Sequence, residues 1–251
     1  MSLNLRRIGC ICRRELHGYF GSPLAYVFVV IFLVLCGFAT FNQWFGAYFQ
    51  RNEASLGPGF FRYHPLLFLL LVPAVAMRLW AEERKSGTIE LLLTLPLSLA
   101  EAVIGKFLAA WMVLILCLVL TFPVVLTTAW LGSPDWGPII TGYLGSALLA
   151  GGYLAVGSLT SAATRNQVIS FVISLTLCFL LYFIGHPAIT DFFSAWAPVW
   201  LLDVFGGASI IGHYESLQRG VVDLRDLVYF LSLIAVALAG TGIVLHSKRG
   251  V

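Results

Sequence analysis

AEERKSGTIELLLTLPLS, residues Ala81–Ser98, is the one long charged insert in a chain that is otherwise mostly apolar. Glu82, Glu83, Arg84, Lys85 and Glu90 place five charges within nine residues. Each would cost about 2.5–3.5 kcal/mol at the centre of a bilayer even on a lenient insertion scale, so the stretch must face water or another protein. Gly87 breaks any helix running in from the preceding apolar run, and Thr88–Leu95 fits a short helix closed by Pro96. That helix would turn Ile89, Leu92, Leu93 and Leu95 toward the protein, with Glu90 and the EERK run at its base. Ser98 and Glu101 have capping-box spacing, so Ser98 starts the next helix and Glu101 returns the bond. The reading is a rigid charged knuckle between two apolar helices; an ordinary solvated loop has the same composition.

The rest of the chain decides where that knuckle sits. Its 251 residues are 59% hydrophobic and 11% charged, with a mean hydropathy of +0.92, whereas soluble domains carry about 25% charged residues. This is the composition of an all-α integral membrane protein. A crossing takes about 20 residues, and six spanning helices are expected at 24–41, 65–80, 99–130, 138–163, 168–186 and 227–246. The second reaches span length only if it continues through Arg78–Trp80, with the arginine snorkelling to the interface.

Orientation follows from the basic residues. With both termini cytosolic, the inside holds Arg6, Arg7, Arg13, Arg14, Arg78, Arg84, Lys85, Lys106, Arg165, Lys248 and Arg249, and the outside only Arg51, Arg62, Arg219 and Arg225. The 81–98 segment is then cytosolic. No cleaved signal peptide is expected ahead of the first span. Cys10, Cys12, Cys36, Cys117 and Cys178 contain no CxxC and favour neither disulfides nor a zinc site; they read as packing residues.

Residues 3–20 place Leu5, Ile8, Cys12, Leu16 and Tyr19 on one stripe with arginines around the rest, the pattern of an elbow helix lying in the membrane interface. Gly57, Pro58 and Gly59 dictate a turn after the first span. Pro73 should kink the second, and Pro123 should bend the outer half of the third, whose Lys106 lies at the cytosolic end. The fourth is rich in small residues, among them Gly142, Ser146 and Gly152, which let helix backbones approach closely and mark a central, buried helix. Residues 187–226 stay outside and are aromatic enough to hold short helices, and Asp223 and Asp226 can cap the last span. A lone His213 or Asp203 in that segment is more often a loop residue than a ligand.

No GxxxxGK[ST], HExxH or GxSxG occurs, so no nucleotide loop or hydrolase motif is legible and the chain is not expected to be an enzyme. No charged residue falls near the middle of a span, which leaves a proton-coupled carrier little to work with.

The interfacial helix, the six spans, the EERKSGTIELLLTLPLS after the second and the SLQRGVVDLRDLVYF before the last together resemble the permease subunit of ABC-2 type transporters, above all the gliding-motility-type permeases. The resemblance implies that Glu82, Glu83, Arg84, Gly87, Thr88 and Glu90 match that family's coupling-helix signature, where a separate cytosolic ATPase dimer docks. ATP and magnesium would belong to that dimer, and this chain would bind no cofactor or metal. A working unit would pair two six-helix permeases in a bacterial cytoplasmic membrane, the second a copy or, as gliding-type systems favour, a different chain. Export is the direction the family implies. Arg219, Gly220 and Asp223 match the pattern before the last span, with no role attached. No nucleic-acid partner is implied. Two other classes stay open: an ATP-independent carrier or channel, which requires a polar path at the midplane, and a structural subunit that anchors a partner.

Overall fold

In the computed structural model, which describes residues 4–51, 53–88, 97–186 and 198–247, every regular element is helical. Helix α1 spans Leu5–Gly21, with Asn4 as N-cap accepting from the Arg6 N–H. Its Ile8, Ile11 and Cys12 are buried while Arg6, Arg7, Arg13 and Arg14 are exposed. Leu5, expected on the apolar stripe, is 81% exposed, while Ile8, Ile11 and Cys12 form the stripe that packs on α6 (Leu99–Leu120). Gly105 of α6 lets the two approach: a Cβ there would lie 2.8 Å from Ile11 Cγ2. Helix α2 (Pro23–Phe41) leaves α1 at 76°, with Pro23 in its first turn, where a missing N–H costs no bond.

A short α3 (Tyr48–Arg51) precedes α4 (His64–Ala76) and α5 (Arg78–Ser86). Pro73 stands inside α4, yet the helix changes at Met77, one turn later. Gly87 closes α5 in the left-handed region, φ 74°, a conformation that favours glycine because it lacks a Cβ. Residues 89–96, and with them most of the expected 88–95 helix and Glu90, lie outside the described residues. Helix α6 opens with both halves of the Ser98–Glu101 capping box present. It passes into α7 (Phe122–Leu131) at Thr121, where Pro123 takes a first-turn position and Thr121 Oγ1 bonds the Leu118 carbonyl (2.6 Å) and the Tyr143 hydroxyl (2.9 Å).

Helix α8 (Trp136–Ala163) is the axis of the molecule. It packs against α4, α5, α6, α9 (Gln167–Phe183), α11 (Ile210–Gln218) and α12 (Leu224–Ser247). A Cβ at Gly142 would stand 2.7 Å from the Phe61 ring, and one at Gly157 would overlap Ala76 Cβ. Small residues thus set the helix spacing where hydrophobicity cannot discriminate between neighbours.

Among the described residues, four helical segments are long and apolar enough to cross a membrane: Phe61–Ser86, Leu99–Leu131, Trp136–Ala163 and Leu224–Ser247. The bent pair α1–α2 qualifies by length only if taken as one span. Helix α9, expected to reach 186, ends at Phe183, and its 17 residues span about 26 Å against a hydrocarbon core of about 30 Å. Residues 187–197 lie outside the described residues; from 198 on, α10 (Val199–Ala208) and α11 are the short helices before α12.

Candidate functional site

Helix α5 meets α1, α6 and α8 at one end of the bundle, here called the charged end. Lys106 is the knot. Its ammonium lies 2.8 Å from Glu83 Oε1 and 3.1 Å from Glu15 Oε2, with its side chain only 4% exposed, and sits 5.4 Å from the Trp80 ring centroid. One cation therefore joins α5, α1 and α6. Burial works to raise the Glu15 carboxyl, but Lys106 and Arg14 outweigh it and hold its pKa below the ordinary value; Arg14 Nη2 donates to Glu15 Oε1 at 2.6 Å.

A second set of bonds ties α5 to α8. The first-turn N–H groups of a helix have no partners of their own, and α5 has no side-chain cap from within. Ser161 of α8 supplies one from outside: its Oγ accepts from the Trp80 and Ala81 N–H groups, each at 3.0 Å, and donates to the Met77 carbonyl at 3.0 Å. Trp80 Nε1 donates to Ser158 Oγ at 3.1 Å. Arg84 Nη1 donates to the Ala162 carbonyl at 2.6 Å. A third set fixes the start of α6: Glu101 accepts from the Ser98 N–H (2.8 Å) and, across to α1, the Asn4 N–H (2.9 Å).

The residues singled out in the sequence fall into three places. At the charged end, Glu83 and Arg84 turn inward as described. Glu82 is 56% exposed, with Oε2 3.9 Å from Arg78 Nε. Thr88 Oγ1 lies 2.9 Å from Ser86 Oγ. Glu82, Lys85, Ser86, Gly87 and Thr88 form an exposed edge, and Lys85 joins Arg165, Asn166, Gln167 and Val168 around a cleft of about 220 Å³.

Gly142 and Ser146 lie on α8 toward the opposite end, and Gly152 near its middle. Ser146 Oγ donates to the Gly142 carbonyl (2.8 Å) and meets His64 Nδ1 (2.7 Å) and the Tyr214 hydroxyl (3.0 Å). Tyr214 in turn donates to the Phe61 carbonyl at 2.9 Å. A Cβ at Gly152 would lie 3.1 Å from Leu233 Cδ2. Arg219 is exposed and pairs with Glu215 at 2.9 Å, and Gly220 turns the chain at φ 93° against Pro138. Asp223 Oδ1 accepts from the Arg225 N–H at 3.2 Å. Asp226, read as a second cap, instead places Oδ1 2.6 Å from Nδ1 of His213, which is buried on α11.

Sequence reasoning located Lys106 but not its partners and missed Glu15; it read Ser158 and Ser161 only as small residues for close packing, not as the groups that bond α5. One signal was available: Lys106 has no acidic residue three or four positions away in its own helix, so a buried lysine there had to find its carboxylates elsewhere. Among the described residues, no group of three or more His, Cys, Asp or Glu gathers to hold a metal.

A model of the family described as ABC-2 family transporter protein matches residues 54–202, more than half of the chain. This chain belongs to the ABC-2 transporter family. The match spans α4 to α9 and so contains the whole of the 81–98 segment and its anchors on α6 and α8. A comparison with curated proteins returned no match. As an ABC-2 family member the chain is the multi-pass membrane component of an ABC transporter, and such permeases work with a cytosolic ATPase.

Proposed function

We propose that this ABC-2 protein is one half of an export permease, driven by an ATPase dimer that docks on residues 81–98 and itself carries the ATP and magnesium. The observation that carries the reading is the triple anchorage of α5 to Lys106, Ser161 and Ala162. A push on the exposed edge Glu82–Thr88 then reaches three helices at once instead of dissipating in one loop. In this reading the charged end is cytosolic in a bacterial inner membrane, α1 is an interfacial elbow, and α2 and α9 complete six crossings. The acidic Glu82 and Glu90 and the basic Lys85–Arg165 cleft offer charges of both signs to the ATPase. A second permease, of the different-chain kind that gliding-motility-type systems favour, completes the unit.

The inward and outward carboxylates separate docking from integrity. Glu90→Lys and Glu82→Lys should lower recovery of the ATPase with the permease, and ATP-driven activity with it, while leaving the thermal midpoint of the isolated permease unchanged. Glu83→Gln should lower the midpoint as well, because it unties Lys106. Unchanged ATPase recovery and activity in both lysine variants would remove the docking assignment.

A further inference from the structure

Beneath the elbow lies a cleft of about 250 Å³ between the second half of α1 (Glu15, Gly18, Tyr19, Ser22), the start of α5 (Arg78, Leu79, Glu82) and Lys106 of α6. Its charges differ in how fully they are used. Glu15 is engaged by both Lys106 and Arg14, and Lys106 by both Glu15 and Glu83. Arg78 is less fully used: its side chain is 36% exposed, its Nε makes no hydrogen bond, and its ion pair with the Glu82 carboxylate is long, at 3.9 Å. A guanidinium carries five donors and no acceptor, and the exposed part of this one lines the cleft with donors that no protein acceptor takes up. Glu82, 56% exposed, is the matching carboxylate with capacity to spare.

We infer that this cleft holds the headgroup of a zwitterionic phospholipid with a primary amine, its phosphate on Arg78 and its ammonium on Glu82. Three features favour such a lipid. Two cations, Arg78 and Lys106, face two carboxylates, Glu15 and Glu82, so the lining has no net charge and gives an anionic headgroup no advantage. Phosphate is the acceptor that a guanidinium fork fits best, and a primary ammonium can donate to a carboxylate where a quaternary one cannot. The cleft also lies where chains could continue: Ser22 lines its rim, and α2 departs from there with Tyr26, Val27 and Val30 each more than half exposed. Pockets between membrane helices at the cytosolic face are established places for headgroups.

The inference rests on α1 lying in the interface and is independent of any ATPase, so its test uses the full-length permease alone. Delipidated protein in detergent is titrated with palmitoyl-oleoyl phosphatidylethanolamine, phosphatidylcholine or phosphatidylglycerol, or with soluble phosphorylethanolamine, and adducts are counted by native mass spectrometry. Phosphatidylethanolamine should be retained about tenfold over the other two lipids, the ratio expected from one charge-assisted hydrogen bond. Arg78→Gln should abolish that retention, Arg78→Lys should weaken it, and Glu82→Gln should erase the preference over phosphatidylcholine. Glu82→Gln sits on an exposed side chain and carries the test if Arg78→Gln does not fold. Equal retention of all three lipids, a preference for phosphatidylglycerol, or an undiminished preference in Glu82→Gln would overturn the assignment. So would soluble phosphorylethanolamine binding as tightly as the lipid, which would make the cleft a site for a free phosphate ester.

Discussion

Lys106 lies about two turns into an apolar helix and is 3% exposed, a position where an ammonium persists only if it is paired. Glu83 and Glu15 pair it from two other helices. Removing the lysine leaves two carboxylates facing each other with 20% exposure apiece, and breaking a buried ionic set by deleting one partner costs roughly 3–5 kcal/mol. Lys106→Met should therefore lower the thermal midpoint in detergent by several degrees. Adding Glu83→Gln should restore part of the loss, with a coupling of about 1 kcal/mol or more between the two sites. Strict additivity would mean that the pair does not hold α5. The lysine's place at a helix end was legible from its spacing in the apolar run. Its partners were not, because pairing across helices depends on which faces meet. Asp226 makes the same point: a first-turn aspartate reads locally as a cap, yet it turns to His213, thirteen residues earlier and buried on another helix.

Helix α5 shows what an element gains from its neighbours. A nine-residue helix is marginal alone, and α5 lacks a cap of its own. Ser161 of α8 stands in for that cap, and loss of a capping oxygen costs about 1 kcal/mol. Ser161→Ala should lower the thermal midpoint by about 2–4 °C and speed hydrogen exchange at the Trp80 and Ala81 amides first. Loss of protection spread evenly over α8 and α5 would show that Ser161 acts as packing rather than as a cap. The sequence placed a break near Pro73 and a bend near Pro123, and the helix changes fall at Met77 and Thr121. In each case the proline marks the neighbourhood. At both changes α8 supplies a bond, Ser161 to the Met77 carbonyl and Tyr143 to the Thr121 hydroxyl.

At the scale of the molecule, α8 is the body against which the others are arranged, and the charged end is where α1, α5, α6 and α8 are bonded together. Composition made the membrane class legible, and among the described residues four spans qualify on length and apolarity. The bend of α1 against α2 falls where the basic, one-sided pattern of residues 3–20 gives way to the first apolar run, whereas the shortness of α9 was not legible, because an apolar run carries no record of where a helix stops. The central claim is that residues 81–98 face the cytosol and receive an ABC ATPase. Its most direct test is a photo-crosslinking amino acid placed at position 90 in cells expressing the transporter, with the irradiated adduct identified by mass spectrometry. The account predicts an adduct with an ABC ATPase that is lost when the same residue is placed at the exposed Trp130, on the opposite end of the bundle. An adduct confined to proteins on the outer side of the membrane, or none with an ATPase in actively transporting cells, would contradict it.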